Sequence, residues 1–255
     1  MKLTATKTIL AAALALTGMT AMAQAKAPEP DYTLAYNVGL VTDYRFRGIS
    51  QSRLKPALQG GVDFTHKSGI YLGFWASTIK ILKDIPGGDG PVELDFYGGY
   101  RGNFTEALAY DIGLLRYQYP KQNFPTTPNT TELYGALTYG PATVKYSHSI
   151  GSETFGVANS RNSYYLEAAA TFDLGSGYSI SPHIGYQKFK GPVPNDSASY
   201  TDYSLGLTKD FGSGFSGTAS IIGTDANKGV YTSAASAGSK YLGKTGLVLG
   251  AKYTF

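Results

Sequence analysis

Side chains that could serve as a nucleophile or a general base are scarce in this chain, which contains three histidines and no cysteine. His66 and Ser68 have the two-residue spacing that places both side chains on one face of a strand, but they fall in a predicted short turn. His148 lies between two serines, whose side chains would point away from it in a regular strand. A general base must lie within hydrogen-bond reach of its nucleophile. Neither histidine therefore predicts a catalytic pair.

The third histidine, His183, shares a predicted strand face with Ser181, yet the sequence identifies no acidic residue that would orient its imidazole. There is no glycine-rich phosphate loop ahead of a helix and no cluster of metal ligands in the sequence. The absence of cysteine excludes disulfides, thiolate metal sites and cysteine catalysis. We therefore predict no enzymatic activity, no cofactor and no metal.

The other ionisable and amide side chains follow the alternation of predicted strands, so that one face of many strands is polar. This pattern predicts a polar barrel interior, which could be a hydrated pore lining. The alternative is a salt-bridged plug, because side chains fill barrels of about eight strands and open channels are typical of 16–18 strands. We favour a narrow water-filled path. The residues predicted to line the lumen are Asn37, Asp43, Arg45, Arg47, Asp63, Glu93, Asp95, Arg101, Asp111, Lys145, Glu167, His183, Gln187 and Lys252.

A charged cluster marks the end of the first predicted strand, where Asp43, Arg45 and Arg47 share one face. Such a cluster could form a basic mouth or constriction that concentrates anions. Alternatively, the arginines could pair inside the barrel with carboxylates such as Asp63 or Glu93. Counting charges leaves the ion selectivity open.

The elements that would position these groups are twelve segments of about ten alternating residues, the length that tilted membrane strands require. They centre on 34–44, 56–65, 69–78, 92–102, 107–117, 131–139, 142–150, 163–172, 178–188, 202–210, 215–222 and 246–255. Short turns alternate strictly with long connections, which lie near 45–55, 79–91, 118–130, 151–162, 189–201 and 223–245. This asymmetry is typical of outer-membrane barrels. The sequence therefore predicts an all-β fold, a transmembrane antiparallel up-and-down β-barrel of about twelve strands.

The last predicted strand, 246–255, alternates apolar residues with polar or small ones and ends in an aromatic residue. A terminal phenylalanine resembles the recognition signal that barrel-assembly machinery reads in bacterial outer-membrane proteins. We predict that this strand closes the barrel by pairing with 34–44. Its apolar face, the predicted assembly signal, consists of Leu247, Leu249, Ala251, Tyr253 and Phe255.

The amino-terminal residues predict a secretory signal peptide over 1–23, because Lys2 and Lys7 precede a short apolar run that ends in small residues. Cleavage after Ala23 or Ala25 satisfies the same small-residue rule. A linker over 24–33 and the barrel over 34–255 would follow. No later segment reaches the roughly 18 apolar residues that a membrane helix needs.

Composition agrees with an exported barrel. Removal of the leader leaves 20 basic and 18 acidic side chains, a net charge of +2, which disfavours nucleic-acid binding. The 32 glycines and 21 tyrosines fit a barrel, because glycine relieves crowding on a curved wall and tyrosine is common at membrane interfaces. A secreted sandwich or propeller is the alternative fold.

Pro182 lies inside a predicted strand. Because proline has no backbone N–H to donate to the neighbouring strand, we expect a bulge or local break there.

Residues 41–52, VTDYRFRGISQS, resemble the first-strand signature of the TorF family, a porin-like family of proteobacterial proteins with unknown function. The resemblance continues through GIYLGFWAS at 69–77 and ELDFYGGY at 93–100. The expected length and the terminal phenylalanine fit over the whole mature chain. The resemblance implies an outer-membrane barrel with a porin-like role, and it implies neither a substrate nor functional residues.

Together, these features predict an outer-membrane porin-like channel for passive diffusion of small hydrophilic solutes or ions. The expected partners are outer-membrane lipid, lipopolysaccharide, barrel-assembly machinery and the solutes themselves, with no nucleic acid. The transported solute and the oligomeric state stay open. Two alternatives are a plugged barrel that binds a lipid or hydrophobic ligand or has a structural role, and, less favoured, an outer-membrane hydrolase.

Overall fold

The computed structural model describes residues 30–84, 88–122, 124–191, 196–233 and 238–255. The predicted signal peptide and residues 24–29 of the predicted linker lie outside these ranges. Among the described residues, no helix is long and apolar enough to cross a membrane.

Almost every ordered element is a strand. The strands are β1 (Tyr32–Val41), β2 (Arg45–Phe46), β3 (Ile49–Ser50), β4 (Ala57–His66), β5 (Ile70–Thr78), β6 (Val92–Asn103), β7 (Leu108–Gln118), β8 (Thr130–Tyr139), β9 (Ala142–Ser149), β10 (Tyr164–Ala170), β11 (Phe172–Gly175), β12 (Tyr178–Lys188), β13 (Tyr200–Gly212), β14 (Phe215–Thr224), β15 (Thr232–Ser233), β16 (Lys240–Tyr241) and β17 (Gly246–Thr254). A short 3₁₀ helix covers Ile81–Asp84, and α1 covers Lys228–Tyr231.

The long strands form one closed antiparallel wall in which each pairs with its neighbours in the sequence. β10 and β11 together make one wall strand, so the wall has the twelve strands that the alternation predicted. The ring closes where β1 pairs with β17, from Asn37 opposite Thr254 to Val41 opposite Gly250. Closure leaves no free edge, so backbone donors and acceptors along the wall are paired. The predicted fold, strand count and closing pair are confirmed.

The wall has an apolar outer face. On β1, the outward side chains of Leu34, Val38 and Leu40 are between 41% and 55% exposed. On β17, Leu247 and Leu249 are likewise exposed, and the remaining predicted assembly-signal residues Ala251, Tyr253 and Phe255 lie on the same side. Successive strand residues point to opposite faces, so the other half of each strand faces the interior.

Pro182 does not interrupt its own strand. β12 runs through it, and Pro182 pairs with Leu205 of β13. The break lies in the neighbouring strand instead, because β10 ends at Ala170 and β11 begins at Phe172. A proline has no N–H to donate to that neighbour, so the expected irregularity occurs in the strand opposite the proline.

The connections divide the barrel into two unlike ends. Short turns of two to four residues join the strands at one end, where both described termini also lie. The described parts of the long connections meet at the other end, which we call the outer end, and pack into two apolar clusters. The first contains Tyr44, Ile79, Leu82, Tyr117 and Tyr119, and the second contains Ile49, Phe189, Ala198, Tyr200 and Leu242.

Candidate channel constriction

The first long connection, residues 42–56, folds into the barrel and contains a small hairpin of β2 and β3. We call these residues the first-loop hairpin. At its tip, Arg47 and Gly48 adopt positive φ angles of 46° and 78°. A Cβ atom at Gly48 would lie 2.7 Å from the Cβ of Asp202 on β13. Only glycine allows the tip to approach the wall this closely.

Asp43 organises the hairpin from within. Its carboxylate accepts hydrogen bonds from the hydroxyls of Ser50, at 2.5 Å, and Ser52, at 3.1 Å, and it also pairs with Arg45. Ser52 Oγ in turn accepts from the backbone N–H of Tyr44. Ser50 and Ser52 are buried, so these bonds form where water does not compete. Many polar side chains of the 41–52 motif therefore stabilise the conformation of the loop.

Arg45 ties the first long connection to the last one. Its guanidinium donates to the backbone carbonyls of Leu242 and Lys244, at 3.3 and 2.9 Å, and to that of Gly48. Five guanidinium donors in a fixed fork suit such a three-way contact.

Arg47 crosses the interior to the opposite wall. It donates to both carboxylate oxygens of Glu132 on β8, at 2.9 and 2.7 Å, and to Gln187 Oε1 on β12, at 2.6 Å. Its guanidinium also lies 4.1 Å from the ring centroid of Tyr165. The side chains of Arg47 and Glu132 are 7% and 2% exposed. Burial disfavours the charged guanidinium, but the charge and hydrogen bonds of Glu132, together with Tyr117 and Tyr165, outweigh this effect and raise the pKa of Arg47 above its ordinary value.

The proposed partners of the arginines need correction. Neither Asp63 nor Glu93 pairs with Arg45 or Arg47, whose carboxylate partners are Asp43 and Glu132. Strand alternation assigns a residue to a face but does not say which distant strand a loop side chain reaches. Glu132 was absent from the predicted lumen set, although its alternation with the outward Leu133 was visible in the sequence.

Two carboxylates lie beside the hairpin without a basic partner among the described residues. Glu93 is fully buried, and its Oε1 accepts a hydrogen bond of 3.1 Å from the Tyr44 hydroxyl. Glu93 Oε2 and Asp95 Oδ1 have no hydrogen-bond partner within the described residues. Burial, followed by the charges of these two carboxylates, raises the pKa of Tyr44.

A polar chamber of about 320 Å³ lies against the inner side of the hairpin. Arg45, Arg47, Lys145, Glu167, His183 and Asp202 line it. His183 Nε2 lies 3.1 Å from Glu167 Oε2, and the Tyr165 hydroxyl donates to Asp202 at 2.8 Å. The structure therefore brings together predicted residues from β9, β10 and β12, and adds Asp202, which the predicted set lacked.

Tyrosines hold the carboxylates nearer the short-turn end. Tyr97 donates to Asp63, and Tyr71 donates to Asp111, each at 2.5 Å. Room for a flat tyrosine ring comes from glycine, since a Cβ atom at Gly73 would lie 2.1 Å from the Tyr97 ring. The other predicted residues here lie apart from the hairpin. Arg101 lies over the Tyr71 ring, Asn37 is half-buried beside Gly61, and Lys252 is exposed.

Within the ranges that the structure describes, none of the three histidines has a serine partner together with an orienting acid. His66 Nδ1 lies 2.8 Å from Ser68 Oγ in an exposed turn, and His148 contacts Tyr146 and Asn162. His183 does contact acids, yet its hydroxyl neighbour is a tyrosine. Within the described residues, no group of three or more His, Cys, Asp or Glu side chains could hold a metal ion.

Comparisons with known proteins agree with the fold. A family model described as a bacterial protein of unknown function, Gcw_chp, matches residues 24–255. A solved KdgM porin in complex with disordered oligogalacturonate is 9% identical, with a TM-score of 0.55 over 87% of this chain and 98% of that one. A solved NanC porin is 10% identical, with a TM-score of 0.55 over 88% and 99%. No curated protein matches the sequence.

Proposed function

This chain belongs to the bacterial Gcw_chp family, and we propose that it is an outer-membrane channel for passive diffusion of small hydrophilic solutes or ions. The first-loop hairpin would act as the constriction. One observation carries the proposal: a closed wall is apolar outside, while the inside holds a polar chamber of about 320 Å³ against the hairpin.

The outer face supports placement in lipid. Large apolar side chains are exposed around the whole wall, which a water-soluble barrel would not tolerate. Exposed aromatic residues lie near both ends, such as Phe172, Phe211 and Phe215 at the short turns and Tyr186 and Tyr203 at the outer end. Two aromatic girdles around an apolar band are typical of outer-membrane barrels. Lipid and lipopolysaccharide would surround this wall, and barrel-assembly machinery would insert it.

The inner face supports a hydrated path. Charged groups of both signs line the chamber, and the carboxylates nearer the short turns are held at the wall by tyrosine hydroxyls. A dry structural barrel would not need such groups, because buried charge is costly unless water or a partner compensates it. We propose that Asp63, Asp111, Lys145, Glu167 and His183 contact the permeating solution. Three other residues of the predicted lumen set do not, because Asp43, Glu93 and Gln187 are buried around the hairpin.

The position of the hairpin supports a filter at the outer end. Arg47 reaches across to Glu132 and Gln187 and so divides the chamber from the outer loops. Selection would be steric and electrostatic, with no covalent step, and we propose no enzymatic activity. The family match begins at Gln24, which supports removal of a signal peptide over 1–23. We also propose that the TorF resemblance and the Gcw_chp match describe one group of porin-like proteins.

The test is single-channel conductance of the refolded 24–255 chain in planar bilayers. We expect steady current steps, and we expect R47A to enlarge them because it removes the side chain that bridges the interior. R116A is the matched control, since Arg116 lies exposed near the outer end of β7 and contacts Gln118 and Thr131 rather than the hairpin. If the unsubstituted chain and R47A both fold but give no current steps, the result would contradict the proposed channel function and favour a plugged, ligand-binding or structural role.

A further inference from the structure

A second cavity, of about 420 Å³, lies between the first-loop hairpin and the other long connections. We call it the outer cavity. Phe46 and Ile49 of the hairpin form one side of it, and Phe124, Phe155 and Phe189 belong to the surrounding connections. It lies at the boundary of the two apolar clusters, which both pack against Phe155. Protein interiors are normally close-packed, whereas small-molecule sites have volumes of about 300–1,000 Å³.

The lining of the outer cavity indicates an uncharged occupant. It contains aromatic rings, aliphatic side chains, prolines and a few amide or hydroxyl groups, and among the described residues no carboxylate, ammonium or guanidinium lines it. The polar chamber on the inner side of the hairpin has the opposite character. Aromatic walls favour flat or ring-shaped ligands, which can stack or pack edge-to-face.

Two tyrosine hydroxyls provide polar anchors. Tyr119 and Tyr200 line the cavity and are only 5% and 6% exposed, yet within the described residues neither hydroxyl has a hydrogen-bond partner. Tyr231, on the same lining, instead donates to the carbonyl of Ala198 at 2.5 Å. Neither oxygen is among the fully buried, unpartnered polar atoms of the described residues, so both hydroxyls are accessible at the cavity and could bond to a ligand.

We propose that the outer cavity binds a small uncharged ring compound that carries one or two hydrogen-bonding groups. The ring occupies the space among Phe46, Phe155 and Phe189, and the polar group bonds to Tyr119 or Tyr200. This site is separate from the lumen chamber and does not depend on whether the barrel conducts.

The test uses two probes that differ by one hydroxyl, 4-fluorophenol and fluorobenzene, followed by ¹⁹F NMR with the refolded 24–255 chain in detergent micelles. We expect both probes to bind. V157W should abolish the binding of both probes, because Val157 lines the cavity and the larger side chain fills it. V38W is the control, since Val38 is an exposed residue of β1 on the outer wall and adds the same side chain away from the cavity.

A second variant, Y119F/Y200F, separates the anchors from the apolar walls. It breaks no hydrogen bond within the described residues, so the fold should persist. We expect it to weaken 4-fluorophenol about fivefold, the value of one neutral hydrogen bond, and to leave fluorobenzene unchanged. Equal binding of both probes by V157W and V38W would overturn the proposal, as would an unchanged preference for the phenol in Y119F/Y200F. Conductance of the same preparation reports separately on the channel.

Discussion

The wall near the short turns and the first-loop hairpin use charged residues in different ways. In the wall, Asp63 and Asp111 are each held by a tyrosine hydroxyl two strands away and stay half-buried toward the lumen. At the hairpin, Arg47 and Glu132 are almost completely buried and depend on each other. The first arrangement joins residues 34 and 40 positions apart on nearby wall strands, whereas the second joins a loop residue to a strand residue 85 positions away. This barrel therefore combines a wall whose contacts follow the order of its strands with an inward hairpin that depends on long-range contacts.

The largest effect should come from breaking the buried pair at the hairpin. We expect E132A to lower the free energy of unfolding by about 3–5 kcal/mol, because it leaves the Arg47 guanidinium buried without its counter-charge. Urea titration of the protein refolded into lipid vesicles would measure this change. E153A is the control, since Glu153 lies in an outer connection at the same end and its carboxylate has no ion pair or hydrogen bond within the described residues. Such a substitution should change stability by less than about 0.5 kcal/mol.

A double variant, R47M/E132L, sharpens the same comparison. It removes both charges and fills similar volume, so most of the stability lost in E132A should return. If R47M/E132L were as unstable as E132A, the loss would come from packing rather than from an unpaired charge.

A substitution on the lipid-facing side of the wall should also lower the free energy of unfolding substantially. We expect L249R to cost about 2–4 kcal/mol, because Leu249 is 47% exposed near the middle of β17 and an arginine there would face the bilayer midplane. T218R places the same charge on the inward face of the neighbouring strand, where the Thr218 hydroxyl lies 2.6 Å from the position of a Cβ atom at Gly250. Equal losses of unfolding free energy for both variants would contradict the assignment of inner and outer faces.

Sequence reasoning therefore predicted the wall and singled out Asp43, Arg45 and Arg47, but it did not find the partner of Arg47. Alternation with period two and the turn pattern were enough for the strand count, the closing pair and the outward position of Leu249. They gave no means of finding Glu132 as the partner of Arg47, since that contact depends on how a loop folds through space. The outer cavity was equally hidden, because its lining comes from the hairpin, several outer connections and the ends of wall strands at once.

A smaller effect tests the tyrosine and carboxylate pairs of the wall. We expect Y97F to lower the free energy of unfolding by about 1 kcal/mol, because Asp63 loses one hydrogen bond but can bind water from the lumen. Y36F is the matched control, as Tyr36 lies on the outer face and is 45% exposed. A loss of about 3 kcal/mol or more in Y97F would mean that water reaches Asp63 no better than it reaches the hairpin. The wall and the hairpin would then not differ in the access of water to their charged groups.

The smallest effect concerns an ion pair that matches the hairpin pair in distance but not in burial. Lys67 Nζ lies 2.6 Å from Asp31 Oδ1, compared with 2.7 Å between Arg47 and Glu132, but the Lys67 and Asp31 side chains are 68% and 58% exposed. Water screens exposed charges, and ordering two long side chains costs entropy, so K67A should change the free energy of unfolding by less than about 0.5 kcal/mol. Urea titration in low and high salt would measure it alongside E132A. A K67A effect close to that of E132A would show that distance, rather than burial, sets the strength of ion pairs in this barrel.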